Sequence, residues 1–128
     1  MANAADARLK TYIILNAGMG KMTMADASAK SLKSLHAPIL YLVGGTTDVA
    51  WKNAQTDYDA IKKTPVVLAD NTQSGHGGTY EQPNGGANAR MVRAWLDWQL
   101  KGRQDGKKTF IDGDLTGYDG FTIKHKNF

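Results

Sequence analysis

The chain contains no cysteine, which excludes disulfides, thiolate metal sites and a cysteine nucleophile, and leaves the redox compartment undetermined. No apolar run approaches the roughly 20 residues that cross a bilayer, so a membrane is not among the expected partners. Met1 to Asp6 shows no basic segment followed by an apolar one, so no signal peptide is legible and localisation stays unassigned. A G-x-S-x-G nucleophile turn is also lacking. The net charge of +4 comes from scattered lysines and arginines, densest after the last long helical segment, where cations favour a helix C-terminus. It reads as a solvated surface, and no nucleic-acid-binding signature accompanies it.

What is present suits one globular domain spanning residues 1–128. With 128 residues, 41% of them hydrophobic, the chain can bury roughly two thirds of its unfolded surface. Three short apolar runs read as strands: Thr11 to Asn16, Ile39 to Val43 and Val66 to Ala69. The second and third are continuously apolar rather than alternating, which predicts parallel strands covered on both faces. A short helix is expected near Ala29 to Leu35, a longer one from about Trp51 to Lys62, and the strongest from about Ala87 to Leu100. In this last segment Ala89, Val92, Leu96 and Gln99 form one stripe, and Met91, Trp95 and Trp98 a second. The tail, with Thr109-Phe110-Ile111 and Phe121-Thr122-Ile123-Lys124, predicts a terminal strand or hairpin.

Alternation of strand and helix implies right-handed crossovers and a three-layer α/β sandwich. Ligand sites in such folds lie outside the carboxyl ends of the strands. Two chemistry-bearing residues fall there. Asp48 follows the 39–43 run, and His76 sits in the glycine-rich Gln73 to Tyr80 stretch after the 66–69 run. Imidazole takes and returns protons near neutral pH. Adjacent parallel strands lie roughly 4.8 Å apart, so neighbouring loops would let Asp48 accept a hydrogen bond from His76. Asp48 is equally well placed to cap the helix near Trp51, and His76 could simply be solvated in a tight turn. Trp51, Trp95 and Trp98 are expected in the core or at an interface. His36, His76 and His125 lack ligand spacing, so no metal is expected, and no cofactor is implied.

Pro38 to Gly45 with Asp48, then Gly75-His76-Gly77-Gly78, then Ala94-Trp95-Leu96-Asp97-Trp98-Gln99-Leu100-Lys101-Gly102 resemble the C-terminal half of α/β-hydrolases, in particular secreted esterase- or lipase-like members. The resemblance runs from about Tyr12 to Leu100. It implies a partial hydrolase-type parallel sheet, with Asp48 as acid and His76 as base of a Ser-Asp-His triad acting on a small-molecule ester. The first strands, the nucleophile and the usual oxyanion loop of that fold have no counterpart here. Ser28, Ser31, Ser34 and Ser74 read as ordinary polar residues. Three functions follow: a carboxylic ester hydrolase portion supplying acid and base, a catalytically incomplete fragment that self-associates, or a small-ligand or polyanion-binding domain using the basic tail. Tyr12 to Leu15, with no charge, proline or bulge to block pairing, is expected to form an exposed sheet edge that joins a second copy.

Overall fold

The computed structural model describes residues 6–21 and 29–128. Its centre is a four-stranded open sheet in the order β1 (Tyr12–Leu15), β2 (Ile39–Val43), β3 (Val66–Asn71), β4 (Phe121–Lys126). The first three strands run parallel, and β4 runs antiparallel to β3 with Asn71 opposite Phe121. The sheet is therefore mixed, and the general α/β class expected from the sequence is present. Among the described residues, no helix is long and apolar enough to cross a membrane.

All residues of β2 and β3 are buried, as continuous apolarity demands. Their side chains divide between two cores. Ile39, Tyr41, Val43, Val66 and Leu68 pack against Ala54, Tyr58 and Ile61, which belong to helix α1 (Trp51–Ala60) and its exit. On the opposite face Leu40, Leu42, Val67 and Ala69 meet Met91 and Trp95 of α2 (Gly86–Lys101) and Phe110 of α3 (Gln104–Phe110). The Met91–Trp95 stripe thus faces the sheet. The other α2 stripe, Ala89, Val92 and Leu96, lines a shallow groove of about 470 Å³ with Leu15, Tyr80 and Leu100.

The short helix expected near Ala29 to Leu35 is present as a 3₁₀-helix, Ala29–Ser34, and Ser28 lies outside the described residues. Two expectations about local structure need correction. The expected terminal strand is present as β4, but Thr109 and Phe110 close helix α3 rather than pairing with it in a hairpin. Gly106 permits this helix: an added Cβ would stand 2.4 Å from the Trp98 Cβ. That close approach brings Phe110 edge-on to Trp95, with ring centroids 5.2 Å apart. Finally, Asp70 and Asn71 extend β3 by two residues and shorten the expected loop.

Candidate functional site

Asn16, Asp48 and His76 follow the carboxyl ends of β1, β2 and β3, three neighbouring strands. The hydrogen bond expected from the sequence is present: His76 Nδ1 lies 2.7 Å from Asp48 Oδ1. Asp48 is buried, whereas the His76 side chain is 57% exposed. An ionised carboxylate can only accept, so Nδ1 carries the proton and a neutral ring leaves its lone pair on Nε2. Nε2 has no hydrogen-bond partner among the described residues.

Asp48 Oδ1 also accepts the Ala50 N–H at 2.8 Å. Its Oδ2 accepts the Gly44 N–H at 3.0 Å and the Asn16 Nδ2–H at 2.9 Å. The bond to Ala50, two residues on, is the local turn that aspartate favours. Ala50 itself is the N-cap of α1, so Asp48 holds the turn ahead of the helix rather than occupying the cap. Burial pushes the Asp48 carboxyl up. The bonds from Ala50, His76, Asn16 and Gly44 outweigh burial and hold it below its ordinary 3.8.

That direction sets a sign for acid stability. A carboxyl whose folded pKa is depressed contributes stability that is complete above its unfolded value, here about 3.8, and is lost as pH falls through the folded value. Asp48→Asn should therefore melt below wild type at neutral pH, and the gap should narrow at the acid end of that window. A gap that stays constant in thermal melts across the range would contradict this assignment.

The two loops meet through glycine. Gly75 N–H donates to the Gly44 carbonyl at 2.9 Å. A Cβ on Gly44 would lie 1.8 Å from the Gly75 oxygen, and one on Gly45, which has φ +81°, would lie 2.4 Å from the Thr72 oxygen. Only a bare backbone lets the His76 loop sit down on the end of β2.

Two supporting residues were not singled out from the sequence. Asn16, at φ +46°, donates to Asp48 and, at 3.4 Å, to the Gly75 carbonyl, joining Asp48 to the loop that carries His76. Asp70 accepts from Gly45 N–H at 2.6 Å and Trp51 Nε1–H at 2.7 Å, which pins the turn carrying Asp48. A signal existed for both. Each is a polar residue directly at the carboxyl end of an apolar strand, where sites of this fold class gather.

Among the described residues, no serine completes the pair. The Ser74 hydroxyl donates to the Asn71 carbonyl at 3.2 Å, an ordinary turn bond. Ser31 and Ser34 belong to the 3₁₀-helix leading into the amino end of β2, the end of the sheet opposite His76. No protein-family model matches this chain, and no curated protein matches it in sequence.

Proposed function

We propose that Asp48 and His76 are the acid and base of a serine-hydrolase relay of the α/β-hydrolase kind, acting on carboxylic esters. The observation that carries the reading is the 2.7 Å bond from His76 Nδ1 to a buried carboxylate at the ends of adjacent parallel strands. Asp48 would fix the ring's tautomer and offset the charge of the imidazolium. His76 Nε2 would take the proton of an attacking hydroxyl as the oxygen bonds to the ester carbon. The same proton then passes to the departing alkoxide, leaving an acyl intermediate for water to open. The hydroxyl is not assigned to a residue of this chain.

Without an assigned nucleophile elbow, hydrolysis of a short p-nitrophenyl ester by the purified chain should be slow, since one lost oxyanion donor alone costs roughly 10²–10³ in rate. Whatever turnover exists should fall by about 10²-fold or more in His76→Ala, the ordinary contribution of a positioned base. Unchanged turnover in that variant would defeat the proposal.

A second reading, self-association without turnover, is favoured by β1. Among the described residues nothing pairs with its outer edge. Tyr12 and Asn16 N–H donate inward, to Pro38 and Leu42. By alternation, the N–H groups of Ile13 and Leu15 point outward. Leu15 is 41% exposed beside the apolar α2 groove. A second copy pairing there would extend the sheet and cover the groove. Light scattering should then give a dimer mass at micromolar protein, reverting to monomer in Leu15→Lys. A monomeric wild type would dispose of this reading.

A further inference from the structure

The amino end of the sheet, opposite His76, carries a second concave feature. The 3₁₀-helix supplies Lys30, Leu32 and Lys33, and the exit of α1 supplies Ala60, Ile61, Lys62, Lys63 and Thr64. Together they enclose a cleft of about 600 Å³, within the range of small-molecule sites. Leu32 and Ile61 are buried and form an apolar floor. The four lysines are exposed at the rim, and among the described residues the lining contains no carboxylate. The Lys62 ammonium is anchored on the Asp59 carbonyl at 2.6 Å, which uses one of its three N–H donors. Lys126, whose ammonium lies 4.5 Å from the centre of the Tyr58 ring, adds positive charge beside Lys62, offset in part by the exposed Asp59 carboxylate. Cations concentrated around an apolar concavity attract a ligand that is anionic at one end and apolar along the rest.

We propose that this cleft binds a small amphiphilic anion. Its head, a carboxylate or a group of like charge, is held by the ammonium groups of Lys33, Lys62 and Lys63, and its apolar body lies across Leu32 and Ile61. A soluble single-chain ligand suits the site better than a membrane surface. Leu32 and Ile61, 9% and 3% exposed, lie within the concavity, whereas binding to a bilayer needs apolar side chains that protrude into the lipid. The inference is independent of the reading of Asp48 and His76.

The test is a titration of the 128-residue chain with octanoate, read residue by residue from amide NMR shifts. Saturable shifts are expected at Leu32, Lys33, Ile61 and Lys63. Affinity should be weaker by at least about tenfold for acetate, which lacks the chain, and for octanol, which lacks the charge. Lys33→Glu with Lys63→Glu, both at exposed positions, should weaken octanoate by a similar factor while leaving the remaining spectrum in place. Added salt should weaken it further. The proposal fails if these residues do not shift, if the double variant binds as wild type, or if acetate binds as well as octanoate. It also fails if anionic phosphatidylglycerol vesicles sediment the protein while octanoate leaves the cleft unshifted.

Discussion

Gly44→Ala is expected to separate His76 from Asp48 while the sheet stays folded. The added methyl carbon would stand 1.8 Å from the Gly75 carbonyl oxygen, far inside contact distance. The nearest atoms are all backbone of Gly75, so no side chain can swing away to make room. Either β2 or the His76 loop must shift. β2 is buried between two strands, and the loop's residues from Gln73 to Gly77 are partly or fully exposed, so the loop is the part that yields. Its shift breaks the Gly75 N–H to Gly44 bond, and the 2.7 Å His76–Asp48 bond goes with it. Overpacking of this kind costs roughly 1–3 kcal/mol. The specific readout is the downfield proton resonance of His76 Nδ1–H, which should be present in wild type and absent from the variant. A variant that melts lower yet keeps the resonance would mean that the loop has another anchor.

Asp57→Ala should produce the largest loss of stability among these substitutions. The Asp57 carboxylate is buried in α1 and accepts three donors from elsewhere: Met19 N–H at 2.6 Å, Gly20 N–H at 2.7 Å and the Tyr41 hydroxyl at 3.2 Å. It thereby ties the chain after β1 to α1 and to β2. Burial, and then the neighbouring carboxylate, push the Tyr41 hydroxyl well above its ordinary value, so it remains a proton donor at every working pH. Removing the acceptor leaves three donors unsatisfied, each costing about 1–3 kcal/mol unless water reaches it. A total near 3 kcal/mol would lower the thermal midpoint by about 10 °C or more for a domain of this size. Asp57→Asn keeps an acceptor oxygen and should lose less. Equal melting of Asp57→Ala and wild type would show that the residues after β1 are held by other contacts.

The site pair was legible because its two markers are local. A continuous apolar run announces a buried strand, and a polar residue shortly after it lies at the strand's carboxyl end. Asp48 and His76 each satisfy that rule, so their meeting needs only that β2 and β3 be neighbours. Asn16 satisfies it too, but its role depends on a left-handed backbone and on two partners 32 and 59 residues away. Asp57 carries no such marker. In the sequence it is one more polar position on an amphipathic helix, and only the fold of residues 17–20 over α1 turns it into an acceptor for two consecutive amides.

By itself the sequence determined the three parallel strands, the faces of α2 and the placement of Asp48 and His76, because hydrophobic period and strand-end position act within a few residues. Tertiary structure decided the rest. Thr109 and Phe110, with the β propensity of their type, are helical because Gly106 lets α3 lie against Trp98 and the Phe110 ring finds Trp95 there. The alternation of Phe121 to Lys126 marks a strand but not its direction. Its chain reaches the sheet at Asn71, the carboxyl end of β3, and can pair only by running back antiparallel. The lysine-rimmed cleft likewise exists only because the 3₁₀-helix and the exit of α1, some thirty residues apart in the chain, pack side by side over Leu32 and Ile61.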